Sequence, residues 1–162
     1  MDFTALVQTL LSAPPDQKAT LINRFNSGFD SLIGLQFLWV DALRVEACCN
    51  VSDAHLQAYG LVHGGVYASM GESVCSVGAA ISVMSENSTA VGIENQTQFL
   101  KAMRVGGRIT ATAQPISKHR NRRRWKAELI DETGDLCATC TVTLAILPSG
   151  HTVAGQPIGF QR

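Results

Sequence analysis

The sequence predicts an α+β domain in which one antiparallel sheet wraps around a single long central helix. Two observations carry that expectation. The first is the run 66–85, where glycine, serine, alanine, valine and methionine dominate and Glu72 is the only formally charged side chain. A helix apolar on every side belongs inside a core rather than on a surface. Glu72 interrupts the run, so no membrane is expected as a partner. The second observation is the order of extended segments, two before this helix and four after it. A sheet with the helix as its filling satisfies that order.

Taken from the start, Phe3, Leu6, Val7, Leu10 and Leu11 fall at i, i+3, i+4, i+7 and i+8, the spacing of an amphipathic helix over 1–13. Pro14-Pro15 ends it. A second short helix is expected over 16–25, with Leu21, Ile22 and Phe25 on one side. Together they form an N-terminal helical arm, residues 1–33, packed on a main domain of residues 34–147. Strands are expected at 35–40 and 43–51, turning at Asp41-Ala42, and a loop over 52–60 carries His55 and Gln57 toward the helix. The helix ends near the polar cluster Glu86-Asn87-Ser88. Four further strands are expected at 89–100, 106–118, 123–131 and 136–147, and the tail 148–162 is expected to be loosely ordered. Trp39, Trp125 and the methionines are assigned to the core, His55 and His151 to the surface.

Composition narrows the function. Thirteen Lys+Arg balance thirteen Asp+Glu, which argues against nucleic acid as the partner. The five cysteines include an adjacent pair, Cys48 and Cys49, and a CxxC at Cys137 and Cys140. On strands both pairs point to opposite faces, which makes them poor metal or redox motifs. No metal or cofactor is called for. Reduced thiols, and a first helix without the basic residues of a secretory leader, lead us to expect a cytoplasmic protein.

An isolated charge taken out of water costs several kcal/mol unless it is paired, hydrogen-bonded or protonated, so a lone Glu72 in such a helix points to use. Ser76 lies at i+4 from it, on the same helical face. Nine positions before Glu72 stands His63-Gly64-Gly65, and Gln57 precedes that triplet. Taken alone, the triplet reads as a tight turn with a capping histidine. A structural role for Glu72 at backbone N–H groups is weaker, because two turns into a helix those groups are already bonded.

These four positions resemble the acyl-CoA thioesterases of the 4-hydroxybenzoyl-CoA thioesterase type in the PaaI-like group, and the expected element order is similar to their hotdog fold over residues 34–147. The resemblance implies hydrolysis of an acyl-CoA thioester to free acid and CoA. It assigns Glu72 the part of nucleophile or general base and the Gly64 amide that of oxyanion donor. Gln57 and Ser76 would position thioester, water or carboxylate, His63 would act near the carbonyl, and Gly65 would let substrate approach. The family pattern HxGR after the third strand reads Ser117-Lys118-His119-Arg120 here, so only Arg120 matches; Gln96 and Lys101 stand where relatives carry Asn and Arg. A cluster of Lys118, Arg120, Arg122, Arg123, Arg124 and Lys126 forms a local positive patch. Arg120, Arg122 and Arg123 are the expected holders of CoA phosphates, against the plain reading of a solvated hairpin. The resemblance further implies a homodimer or homotetramer with the active site at the subunit interface. The alternative is a non-catalytic module of the same fold that binds acyl-CoA or a protein partner.

Overall fold

The computed structural model describes residues 3–158, with side chains from residue 7 onward. The Phe3 and Leu6 side of the first helix and tail residues 159–162 therefore lie outside the described residues. Strands β1 (Gln36–Val40) and β2 (Val45–Asn50) precede the long helix, and β3 (Ser88–Phe99), β4 (Arg108–His119), β5 (Arg122–Ile130) and β6 (Leu136–Pro148) follow it. They form one antiparallel sheet in the order β1-β2-β4-β5-β6-β3. The helices are α1 (Phe3–Ser12), α2 (Pro15–Phe25), α3 (Phe29–Leu32) and α4 (Gly64–Val83).

Helix α4 runs under the sheet, against β2 to β6. By length and composition alone it could cross a bilayer, but half of it is buried inside the fold, as in the core helix of a globular domain. Its sheet-facing stripe of Val66, Tyr67, Met70, Gly71, Val74, Cys75, Gly78, Ala79 and Val83 is buried. The opposite stripe, Ala68, Ser69, Glu72, Ser73, Ser76, Val77 and Ala80, is only half-buried. A single sheet covers one side of a helix and leaves the other to something else. Glu72 therefore sits on the open stripe and not in the core. On the covered side a Cβ at Gly78 would stand 2.5 Å from the ring of Trp125, which is wholly buried. Glycine there lets helix and sheet approach closely enough to enclose the indole.

The arm docks through specific bonds. Pro15 opens α2 in its first turn, where its missing N–H costs nothing. Asn23 of α2 bonds both backbone groups of Phe37, its Nδ2 donating to the carbonyl at 2.8 Å and its Oδ1 accepting the N–H at 2.8 Å. Those bonds close part of the β1 edge, which would otherwise offer free ladder groups.

Several residues depart from expectation. Trp39 is exposed rather than core. A bulge between Phe37 and Trp39 turns its ring outward, where Nε1 donates to Asp41 Oδ2 at 2.8 Å. His55 is buried rather than surface. One turn of 3-10 helix, Asp53–His55, folds its ring inward, so that Nδ1 accepts the Ser52 N–H at 2.9 Å and Nε2 lies 3.1 Å from the Ile33 carbonyl oxygen. The tail is ordered into a small hairpin of β7 (Thr152–Val153) and β8 (Gln156–Pro157). Helix α3 lies within the expected helical arm, in residues 26–33, where no separate element was expected.

Candidate active site

The His63-Gly64-Gly65 triplet starts α4. His63 is its N-cap, and its Nδ1 accepts the Gly65 N–H at 2.8 Å. An accepting Nδ1 fixes the neutral tautomer with the proton on Nε2, which is then free to donate outward. The capping role read from the triplet alone is thus real, and it leaves the other nitrogen unused. The loop before it is held by Gln57 N–H to the Leu61 carbonyl at 2.8 Å and by His63 N–H to the His55 carbonyl at 2.8 Å. A Cβ at Gly64 would stand 2.9 Å from the exposed ring of Phe99, which would have to swing aside to admit a side chain there. Unpaired amides at a helix start and the positive end of its dipole form a ready anion site.

Glu72 lies two turns further on and is held by neutral donors. Asn95 Nδ2 donates to its Oε2 at 2.9 Å, and Ser76 Oγ to its Oε1 at 3.3 Å. Asn95 is itself oriented: Thr97 Oγ1 donates to its Oδ1 at 2.7 Å, and Nδ2 also reaches the Ala68 carbonyl at 3.1 Å. A Cβ at Gly92 would fall 2.1 Å from Glu72 Oε1, so β3 leaves a gap that the carboxylate fills. Among the described residues no cation pairs with Glu72. The carboxylate opens on a cleft of about 540 Å³ lined by Phe29, Ala68, Ser69, Glu72, Ser73, Asn95 and Thr97.

Asn95, Thr97 and Gly92 were missed by sequence reasoning. Gly92 did carry a signal, since an isolated glycine in a strand marks a bulge or a close approach. Both are present, for the β3–β6 register shifts between Gly92 and Glu94. Within one chain the two halves of the predicted site do not meet. Gly64 and Glu72 are eight residues apart on one helix, about 12 Å along its axis at 1.5 Å per residue. Gln57, His63 and Gly64 do not line the Glu72 cleft.

The basic cluster divides as well. Arg122 and Arg124 point to the outer face of β5, where they line a polar hollow with Glu94, Ser117, His119 and Thr143. Arg123 points to the helix side and is buried, with Nη1 donating to the carbonyls of Arg120 at 3.3 Å and Arg122 at 3.0 Å. Arg120 is exposed in the turn with a φ of 46°. Lys126 pairs with Glu128. Other ionisable groups near the helix are poor participants. Burial pushes the Tyr67 hydroxyl up to about 12 and raises the thiols of Cys49, Cys75, Cys137 and Cys140.

Residues 59–138 match the family model described as the Thioesterase superfamily. Over 132 residues the chain is 34% identical to the Mycobacterium tuberculosis protein Rv1847, which carries an esterase name, covering 80% of this chain and 92% of that protein. The chain belongs to the thioesterase superfamily. It is an enzyme of thioester hydrolysis, and its sheet and central helix are those of the hotdog thioesterases. The solved thioesterase HI1161 of Haemophilus influenzae superposes with a TM-score of 0.75 at 26% identity, covering 80% of this chain and 90% of that one. The 1,4-dihydroxy-2-naphthoyl-CoA hydrolase of Escherichia coli is 31% identical over 103 residues, 64% of this chain and 74% of that enzyme.

Proposed function

We propose that the thioesterase hydrolyses acyl-CoA thioesters at a site shared between two copies of the chain. The observation that carries this reading is the setting of Glu72, a carboxylate at an open cleft, oriented by two neutral donors and, among the described residues, neutralised by no cation. Such a group is free to attack a thioester carbonyl or to take a proton from an attacking water. The oxyanion that forms needs a donor, and the Gly64 N–H of the partner copy supplies it. Gln57 and the free Nε2–H of His63 sit on the same loop and hold thioester or water through their donors, while Gly65 leaves the approach open. Ser76 orients the carboxylate. CoA leaves as the thiol.

Two features support the shared site. The distance between Gly64 and Glu72 along one helix is too large for a single carbonyl to touch both. The edge strand β3 is 12 residues long, and Ile93 and Phe99 on it are exposed. An edge of that length and character calls for a partner strand. We therefore infer a homodimer or a homotetramer. On the outer face, Arg120 and Arg122 are assigned to the phosphates of CoA, and Arg123 supports them through the carbonyls it bonds. The name of the Escherichia coli relative favours a ring-bearing acyl group. Five free, buried cysteines support a cytoplasmic setting.

The test is turnover of a panel of acyl-CoA thioesters followed by free-thiol release. Glu72→Gln keeps the shape and removes the base, so kcat is expected to fall about 100- to 10,000-fold with the fold intact. A wild-type chain inert on the panel, or an active Glu72→Gln, would overturn the reading.

A further inference from the structure

The arm, not the hotdog core, supplies the large apolar side chain of the Glu72 cleft. Phe29 lines that cleft and is 60% exposed, and the remaining lining is small or polar. It sits on α3, at the end of the arm just before β1, outside the residues that match the family model. A four-residue helix has little stability of its own. This one is tied down at three points. Asp30 Oδ1 accepts from Ser73 Oγ at 2.6 Å, one position from Glu72 on α4. The Ile33 carbonyl, just past its end, meets the buried ring of His55 at 3.1 Å and Cys49 Sγ at 2.9 Å. Asp30 also takes the Leu35 N–H on its carbonyl at 3.0 Å. Three anchors hold an aromatic ring at the mouth of a cleft instead of letting it fold into the core. An exposed aromatic of this kind is satisfied by covering it with apolar surface.

We propose that Phe29 is a specificity-determining residue that contacts the acyl group and favours thioesters of flat, ring-bearing acids over those of flexible chains. The inference rests on the reading of Glu72 as the reacting carboxylate. The chemistry is that of two rings: aromatic pairs in offset or edge-to-face contact gain energy beyond the area they bury, and a flexible chain does not. The Asp30–Ser73 bond links the position of the ring to the helical turn that carries Glu72, so acyl group and carboxylate are held in one frame.

The experiment compares benzoyl-CoA, hexanoyl-CoA and acetyl-CoA as substrates of the full-length wild-type chain, Phe29→Ala and Phe29→Leu. The Leu variant keeps apolar bulk without a ring and serves if the Ala variant fails to fold. Both are checked by thermal unfolding and by sedimentation for an unchanged assembly. The ratio of kcat/KM for benzoyl-CoA to that for hexanoyl-CoA is expected to fall about 10-fold in either variant. An unchanged ratio, or equal losses on both substrates, overturns the role of Phe29 while leaving the thioesterase site standing. A wild-type chain inert on all three thioesters overturns the site itself, and with it this inference.

Discussion

The chemistry assigned to Glu72 depends on neighbours with no reactivity of their own. Asn95 and Ser76 offer neutral donors, and Gly92 offers space. Gly92→Ala tests the space: its Cβ would stand 2.1 Å from Glu72 Oε1, and the movable end of a side chain would give way before the backbone. A carboxylate displaced by an ångström costs about 100-fold in rate, so kcat should drop by that order while the unfolding midpoint stays near wild type. Steady-state kinetics beside a thermal melt decide it; an undiminished kcat would mean that Glu72 does not need that position. Ser76 was legible beforehand, because i+4 on a helix is a fixed neighbour. Asn95 was not. Strict alternation from Gly92 would point Gln96 at the helix. The bulge at Ile93 adds one residue and turns Asn95 and Thr97 inward, leaving Gln96 to bond Glu94 on the outer side. A bulge is a property of the paired strands, and one strand read alone conceals it.

Elements were legible where a period was long enough to show. The six strands and α4 stand close to their expected ranges, whereas α3 is a single turn with no period to detect. Its place is set by Ser73 and His55, both distant in sequence. Another tie of that kind joins the end of β3 to the β5–β6 turn: Lys101 Nζ pairs with Asp131 Oδ2 at 2.5 Å and with Asp135 Oδ2 at 2.6 Å. The bond from Lys101 holds the Asp131 carboxyl well below its ordinary value of 3.8, with help from the Thr133 hydroxyl. Asp131 in turn raises Lys101 above its ordinary 10.5. A depressed carboxyl contributes stability that is present above pH 3.8 and lost as the pH falls through its folded value. Asp131→Asn should therefore unfold at lower temperature than wild type at pH 7, and the gap should close as the pH falls below 3.8. Melts of both proteins from neutral to strongly acid pH would show it; a gap independent of pH would mean that Asp131 acts through its turn bonds alone.

For the whole molecule, the proposed dimer would cover both the half-buried stripe of α4 and the exposed edge strand β3. The split site then has a geometric reason. One rigid helix carries the proposed oxyanion donor at its start and the carboxylate about 12 Å further on. In the proposed dimer, two copies related by a two-fold axis would place the start of each helix against the middle of the other and so form two sites. Subunit mixing tests this arrangement. Chains bearing Glu72→Gln and chains bearing Gln57→Ala are each expected to be nearly inert as homodimers. Refolded together in equal amounts, half of the dimers are mixed. In each mixed dimer one site carries both defects and the other carries neither. Activity should return to roughly one quarter of wild type. Native mass measurement shows whether mixed dimers have formed. Mixed dimers that form and stay as inactive as either parent would mean that each chain completes its own site, and that Gln57 reaches Glu72 by a movement of the loop before α4.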